Sequence, residues 1–175
     1  PGKAQYNCLV KDNGGIIDDL IVYKIDEEKY LLVVNASNIE KDLNWIKSLN
    51  KNYSCSINNI SDRISLLAVQ GPNANLLCQR FTKEDLKSLS KYSFILGTFA
   101  GIDNVIISKT GYTGSGGFEL YISNENVEQI WDELFNVKDF EVKPIGLAAR
   151  DTLRLEMGYC LSLIHISEPT RHDQI

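Results

Sequence analysis

Short apolar runs separated by turn residues open the chain. Three runs, at residues 5–10, 16–25 and 29–34, are rich in the residue types typical of strands, and Asp, Asn, Gly and Glu occupy the turns between them. Connections this short favour antiparallel pairing. From residue 38 to 49 the apolar side chains recur every three or four positions, which predicts a helix, with Ser37 as its cap, that covers the strands. The residues expected on its apolar face are Ile39, Leu43, Trp45 and Ile46.

Strand and helix patterns recur in the rest of the chain, as if two related lobes existed, at about 1–60 and 61–160. Mixed short strands and helices predict an α+β fold, with antiparallel sheets and helices packed on one side. The expected strands are 53–58, 64–69, 92–99, 104–109 and 118–122, and the expected helices are 70–77, 83–89, 125–135 and 144–159.

Two adjacent carboxylates, Asp18 and Asp19, interrupt the otherwise apolar second strand. Because strand side chains alternate, Asp19 shares a face with Ile21 and Tyr23, whereas Asp18 points to the other face. This alternation argues against a dyad in which the two acids share one proton. Burying an unpaired carboxylate costs several kcal/mol or shifts its pKa. We therefore expect the protein to use at least one of these acids.

Composition narrows the possible functions. The chain has 175 residues, 43% of them hydrophobic and 23% charged, with a net charge of −5, which is typical of a globular protein and argues against nucleic-acid binding. The sequence contains no run of about 18 apolar residues, so it predicts no membrane-spanning helix. The cysteines lie far apart and are expected to be reduced and buried rather than zinc ligands: Cys8, Cys55, Cys78 and Cys160.

The last segment differs from the rest of the chain. Residues 161–171, LSLIHISEPTR, resemble the translation of a transposase sequencing adapter, so we expect residues 161–175 to be a non-native tail. Both histidines, His165 and His172, lie in this tail. A histidine-dependent nucleophile or metal site is therefore not expected in the remaining chain.

Further polar groups stand in apolar surroundings in the second half. Glu119 lies in a strand just after Tyr112, and Arg150 lies one helical turn before Arg154. The glycine-rich loop 111–117 fits either a tight hairpin or a close approach to a flat ligand, and its spacing does not match a nucleotide-binding loop. Carboxylates, tyrosines and an arginine together suit a pocket for a planar, nitrogen-rich heterocycle.

Six segments, taken in order, make the chain resemble the glycine cleavage T-protein family, the tetrahydrofolate-dependent aminomethyltransferases, over residues 1–156. They are GKAQYNCLV, GGIIDDLIVYK, YLLVVNASNIEKDLNWI, AVQGP, SKTGYTGSGGFELY and GLAARDTLRLE. The resemblance implies the folate-binding aminomethyltransferase fold, truncated at both ends, so that the chain is expected to be an internal fragment whose own activity is in doubt.

The resemblance also implies a reaction. The methylene of the aminomethyl-lipoyl group on the H-protein would pass to tetrahydrofolate, the co-substrate, giving ammonia and 5,10-methylenetetrahydrofolate, with no metal involved. Asp19 would be the catalytic carboxylate beside folate N5, and Asp18 would be structural. The residues expected to bind the folate are Tyr6, Tyr23, Asn35, Tyr112, Glu119 and Arg150. The expected location is the bacterial cytoplasm, or the mitochondrion in a eukaryote, with neither a membrane nor a nucleic acid as partner.

Two alternatives stay open. Another folate-dependent enzyme of the same fold, one that oxidises dimethylglycine or sarcosine or acts as a demethylase, would share these residues. A folate-binding protein without amine-transfer activity is the second alternative, although the Lys-Gly-Cys-Tyr motif of such relatives does not occur in the sequence.

Overall fold

The computed structural model describes residues 1–159. These residues form two compact units, an N-terminal unit of Pro1–Ile60 and a C-terminal unit that begins at Ser61. Each unit has its own antiparallel sheet and its own helices. The α+β fold class expected from the sequence is confirmed.

The N-terminal unit is a three-stranded meander with one α-helix. Strands β1 (Lys3–Val10), β2 (Ile16–Lys24) and β3 (Tyr30–Val34) pair in the order β1-β2-β3, with β2 in the centre. Helix α1 spans Ile39–Leu49. These bounds lie within two residues of the sequence predictions, because hydrophobic alternation and short turns are local signals.

The expected cap of α1 is wrong. Ser37 lies inside a short 3₁₀ helix, Ala36–Asn38, and Asn38 occupies the cap position without a side-chain capping bond. The Asn38 side chain donates instead to Asp18, at 2.6 Å. The amide nitrogen of Asn38 is thus bonded to a neighbouring strand, and its side-chain oxygen accepts no bond from the first turn of the helix.

The apolar face of α1 also differs from expectation. The four residues expected on that face are half-buried, whereas Asp42 is the helix residue that is fully buried. Asp42 lies three residues after Ile39 and four before Ile46, and it therefore shares their face. A carboxyl group thus occupies the inner position of an otherwise amphipathic helix.

The C-terminal unit contains a four-stranded sheet in the order β4-β7-β6-β5. Its core is made of buried apolar side chains from the sheet and from the third helix, among them Phe99, Ile107, Phe118, Leu120, Ile122 and Ile130. The strands are β4 (Ile64–Gln70), β5 (Phe94–Phe99), β6 (Ile102–Ser108) and β7 (Gly117–Ser123), and the helices are α2 (Ala74–Gln79), α3 (Val127–Phe135) and α4 (Leu147–Glu156).

One tight turn and one close approach between strands shape this sheet. Ala100 and Gly101 join β5 to β6, and both have positive φ angles, 50° and 78°, as the tightest hairpin turns require. Gly117, with φ 125°, begins β7 so close to the carbonyl oxygen of Val69 that a Cβ atom would collide with it. The glycine at this position therefore permits the pairing of β4 with β7.

The strand expected at 53–58 is absent from the described structure. The side chain of Asn50 accepts a hydrogen bond from the Cys55 amide at 2.9 Å and donates one to the Cys55 carbonyl at 2.7 Å. Both backbone groups of Cys55 are thus satisfied without a neighbouring strand. Cys55 is also exposed, which corrects the expectation that it is buried.

The helix expected at 83–89 is likewise absent from the described structure. The Gln79 side chain donates to the carbonyl of Glu84 at 2.8 Å and accepts from the amide of Leu86 at 3.0 Å. Side-chain bonds of this kind replace the backbone hydrogen bonds of a helix, and the segment forms a loop instead.

Among the other cysteines, Cys8 is half-buried and Cys78 is fully buried, and burial raises the pKa of Cys78 to about 12. Cys160 and the expected tail, 161–175, lie outside the described residues.

Candidate functional site

Asp19 is held by two side-chain donors in the N-terminal unit. The hydroxyl of Tyr6, on β1, donates to Oδ2 at 2.8 Å, and the amide of Asn35, just after β3, donates to Oδ1 at 2.8 Å. Tyr6 pairs with Ile21 across the sheet and therefore lies on the Asp19 face of β2. Each carboxylate oxygen has one donor, which fixes the plane of the group.

Tyr23 lies four residues further along the same face of β2 and is fully buried. The structure thus brings Tyr6, Asp19 and Asn35 into direct contact and places Tyr23 on the same side of the strand. Tyr6 remains about half exposed, at 48%. One edge of the cluster is therefore open while the other is part of the core.

Asp18 points to the opposite side of β2, toward α1. It accepts bonds from Asn38 at 2.6 Å, from the Asp19 amide at 3.0 Å and from Asn35 at 3.0 Å. Burial acts to raise the pKa of Asp18, but these hydrogen bonds outweigh it and hold the pKa below its usual value. Asp18 is therefore a stable buried carboxylate.

Asn35 connects the two acids. Its amide nitrogen lies within hydrogen-bond distance of one carboxylate oxygen of each, at 3.0 Å for Asp18 and 2.8 Å for Asp19. The amide has two hydrogens. It can thus serve both carboxylates at once, although they lie on opposite faces of the strand.

Asp42 adds a third carboxyl group to this part of the unit. It is fully buried, and neither oxygen has a hydrogen-bond donor among the described residues. Burial, and then the neighbouring Asp18, raise the pKa of Asp42 to about 6, while the positive charge of Lys41 acts in the opposite direction. Lys41 lies 3.8 Å from Asp18 and donates to the carbonyl of Ile17 at 3.0 Å.

Glu119 is a half-buried acid of the C-terminal unit. It lies on β7, opposite Ala68 on β4 and Ser108 on β6, and the hydroxyl of Thr110 donates to its Oε2. Burial raises the pKa of Glu119, although the Thr110 bond and the charge of Arg150 both act to lower it. The Thr110 hydroxyl also lies 2.9 Å from that of Ser108. The Thr110 hydroxyl, which also contacts that of Ser108, thus orients this carboxyl group.

Arg150 lies over an aromatic stack. Its guanidinium carbon is 4.5 Å from the centre of the Tyr112 ring, and Tyr112 stacks on Tyr159 at 5.7 Å and 20°. Arg154, one turn along α4, is buried and forms an ion pair with Asp151 at 2.7 Å. The two arginines therefore differ in role: Arg154 anchors the helix, and Arg150 presents an exposed charge beside Tyr112 and near Glu119.

The glycine-rich loop between β6 and β7 is fastened by Gln70. The side chain of Gln70 donates to the carbonyls of Thr110 at 3.3 Å and Phe118 at 3.2 Å, and it accepts from the hydroxyl of Thr113 at 3.1 Å. It lies so close to Gly111 that a Cβ atom there would collide with it. A side chain on β4 therefore fixes the loop that carries Tyr112.

Sequence reasoning gave no functional part to several side chains that hold these clusters: Asn38, Asp42, Gln70, Ser108 and Thr110. For Asp42 a signal existed, since an acid lies on the apolar face of a predicted helix. For Thr110, alternation from Ser108 places both hydroxyls on one face of the extended chain. Gln70 stands in the AVQGP segment, which contributes only to the family resemblance.

Neither a membrane-spanning helix nor a cluster of metal ligands is found in the part of the chain that the structure describes. Between residues 1 and 159, no helix is long and apolar enough to cross a membrane. In the same part of the chain, no group of three or more His, Cys, Asp or Glu side chains is arranged to hold a metal ion.

The site groups are thus strand carboxylates that amide and hydroxyl donors hold on α+β units. A model of the GCVT N-terminal domain matches residues 1–172, and the chain belongs to this family. The resemblance to the glycine cleavage T-protein family is thereby confirmed. The match reaches into residues 161–175, so their assignment to an adapter stays a prediction.

Relatives named aminomethyltransferase support the same family. The one from Flavobacterium psychrophilum is 57% identical over 170 residues, which cover 97% of this chain and 47% of the relative. The one from Bacteroides thetaiotaomicron is 56% identical over 162 residues, or 92% of this chain and 45% of the relative. The chain therefore spans about half the length of the curated relatives it matches.

A solved structure agrees with this fold. The crystal structure of glycine cleavage system aminomethyltransferase T from Bartonella henselae matches with a TM-score of 0.80 and 30% sequence identity. The match covers 91% of this chain and 42% of that one. The aminomethyltransferase-type fold expected from the sequence is confirmed.

Proposed function

We propose that this chain is part of an aminomethyltransferase that moves a methylene group from the aminomethyl-lipoyl arm of an H-protein to tetrahydrofolate. The observation that carries the proposal is the setting of Asp19, whose two oxygens accept from Tyr6 and Asn35 at 2.8 Å each. A carboxylate fixed in this way is suited to orient an amine rather than to act as a free base.

The proposed chemistry balances without an oxidant. Folate N5 and N10 each form a bond to the methylene carbon and each lose a proton. The carbon–nitrogen bond of the aminomethyl group and its carbon–sulfur bond break, and ammonia and the lipoyl thiol take up one proton each. Asp19 orients N5 toward the carbon and accepts a hydrogen bond from its N–H group, which fixes the attacking lone pair before reaction.

The C-terminal unit offers groups that suit the pterin ring. The amino-amide edge of a pterin presents N–H donors, and Glu119 is a half-buried carboxyl group oriented by Thr110. Tyr112 offers an aromatic face, and Arg150 offers a positive charge for a carbonyl or carboxylate of the folate. We assign these three residues, with Tyr6, Tyr23 and Asn35 of the N-terminal unit, to folate binding.

The relatives suggest the partners and the location. The Bartonella henselae protein is named a component of the glycine cleavage system, which supports a lipoylated H-protein as the partner. The relatives named here are bacterial. We therefore propose the bacterial cytoplasm as the place of action.

A chimera gives the sharpest test. Residues 1–159 replace the matching segment of the Flavobacterium psychrophilum aminomethyltransferase, and the formation of methylenetetrahydrofolate from tetrahydrofolate and aminomethylated H-protein is measured. We expect Asp19→Asn to lower kcat about a hundredfold, because an amide lacks the negative charge that would hold the N5–H group in its reactive orientation. Asp12→Asn, in the exposed turn before β2, is the matched control and should leave kcat unchanged.

The same chimera separates the alternatives. Turnover that requires dimethylglycine or sarcosine instead of aminomethylated H-protein would assign the chain to another enzyme of this fold. Folate binding without turnover of any of these substrates would assign it to the non-catalytic group. Full activity of the Asp19→Asn chimera would overturn the catalytic role of Asp19.

A further inference from the structure

Asp42 is a buried acid that the proposed chemistry does not use. Its side chain is fully enclosed on the inner face of α1, yet neither oxygen has a donor among the described residues. An unpaired buried carboxylate is costly, so such a group either becomes protonated or finds a counter-charge. The charged groups that act on it are Asp18, Lys41 and Asp19.

Lys41 does not serve as the counter-charge. Its ammonium nitrogen donates to the carbonyl of Ile17 at 3.0 Å and lies 3.8 Å from Asp18, and the side chain is half exposed. The two other charged groups, Asp18 and Asp19, are acids and repel an ionised Asp42. Protonation is therefore the way in which Asp42 is satisfied.

A protonated Asp42 becomes a donor, and the Asp18 side chain, with which it interacts, is the acceptor. Asp18 already receives bonds from Asn38, Asn35 and a backbone amide, which favour its ionised form. In a pair of neighbouring carboxyl groups, the one with more donors keeps the charge and the other keeps the proton. The proton accordingly lies on Asp42 and points to Asp18.

The pair is connected to Asp19 by a short path. Asp18 accepts from the Asn35 amide at 3.0 Å, and the same amide nitrogen lies 2.8 Å from Asp19. We propose that Asp42 is a positioning residue: it shares one proton with Asp18, and this pair fixes Asp19 through the amide of Asn35. The consequence for catalysis rests on the proposed function, whereas the shared proton does not.

The proton is tested directly on the 175-residue chain. Infrared spectra recorded between pH 5 and pH 7 should show the carbonyl band of a protonated carboxyl group that disappears with a midpoint near pH 6. Asp42→Asn should remove this band. Glu119→Gln is the matched control, because the pKa of Glu119 is also raised, and it should leave the Asp42 band in place. If the Asp42→Asn chain shows the same spectrum as the unsubstituted chain, the proposal that Asp42 shares a proton with Asp18 is wrong.

The coupling to Asp19 is tested in the chimera. Asparagine keeps an N–H donor at this position and cannot ionise, so kcat of Asp42→Asn should lie within about threefold of wild type at pH 5.5. As the pH rises to 7.5, wild type loses its donor and the variant does not. The ratio of the two kcat values, variant over wild type, should therefore rise severalfold with a midpoint near pH 6.

Asp42→Leu keeps the branched shape of the side chain, with methyl groups in place of the two oxygens, and has no donor; it should lower kcat about tenfold with little change in KM for folate. A flat ratio between pH 5.5 and pH 7.5 would overturn the coupling. If Asp19→Asn is fully active, the proposed function fails, but the infrared result still decides whether the proton is shared.

Discussion

The hydroxyl of Tyr6 donates a 2.8 Å hydrogen bond to Oδ2 of Asp19 from the neighbouring strand. The donor is part of β1 and the acceptor part of β2, so the antiparallel register of the sheet sets the geometry of the bond. Asn35, from the other side of β2, holds the second oxygen. The acid is therefore positioned by three consecutive pieces of a simple meander.

Removing the Tyr6 hydroxyl should affect turnover more than binding. In the chimera, Tyr6→Phe leaves the ring in place and releases Oδ2 of Asp19, so we expect kcat to fall about tenfold, as for the loss of one hydrogen bond to a charged group. Steady-state kinetics at varied folate concentration measures both kcat and the KM for folate. Tyr30→Phe, on the exposed surface of β3, is the control and should behave as wild type. An unchanged kcat for Tyr6→Phe would show that Asp19 does not need this donor.

Two carboxyl groups, Asp42 and Asp18, make the stability of the N-terminal unit depend on pH in opposite directions. The folded-state pKa of Asp42 is raised from 3.8 to about 6, so its contribution to stability is full below pH 3.8 and is lost as the pH rises through 6. Asp18 acts oppositely: because its pKa is lowered, its contribution is lost as the pH falls below 3.8.

Urea unfolding isolates this effect. Trp45 reports on the N-terminal unit once Trp131 is replaced by Phe, since Trp131 lies in the C-terminal unit. We expect the free energy of unfolding to fall between pH 4.5 and pH 6.5 when Asp42 is present. The Asp42→Asn protein should lack that decline, and an equal slope in both proteins would contradict the raised pKa.

Thr110 should determine how well the folate ring is held. Thr110→Val keeps the shape of the side chain but removes the donor to Glu119, so the carboxyl group loses its orientation and its pKa rises further. We expect KM for folate in the chimera to rise about tenfold, with a larger effect at lower pH. Thr110→Ser retains the hydroxyl and should restore most of the affinity. Equal defects in the valine and serine variants would indicate a packing role instead.

Gly117 should be one of the least replaceable residues of the C-terminal unit. Its φ of 125° is strained for any other residue, and a Cβ atom would also collide with the Val69 carbonyl. We expect Gly117→Ala to lower the free energy of unfolding by about 3 kcal/mol or more. Gly116 also has a positive φ, 80°, but a Cβ atom placed there would have no neighbour closer than 3.9 Å, so Gly116→Ala should cost about 1 kcal/mol.

Urea unfolding followed by Trp131 fluorescence, in a Trp45→Phe background, compares the two glycine variants. Equal losses would mean that backbone conformation alone, rather than the contact between β4 and β7, makes Gly117 necessary.

The elements with strong local signals could be read from the amino-acid sequence alone. Alternation placed β2 and put Asp18 and Asp19 on opposite faces, and helical spacing placed α1 and α3. These signals depend only on neighbouring residues, which is why no knowledge of the packing was needed. The family resemblance added the fold and the list of site residues, because its motifs are specific in combination.

Which polar groups meet depends on the packing of the elements. Asn35 follows β3 and meets Asp19, 16 residues away, through the pairing of β2 with β3. Asp42 lies 24 residues from Asp18, and it meets Asp18 through the packing of α1 on the sheet. The same is true of the loops that replaced an expected strand and helix, where Asn50 and Gln79 take over backbone hydrogen bonds. Periodicity shows which face of an element is apolar, but a hydrogen bond requires two atoms within about 3 Å, and packing alone brings them there.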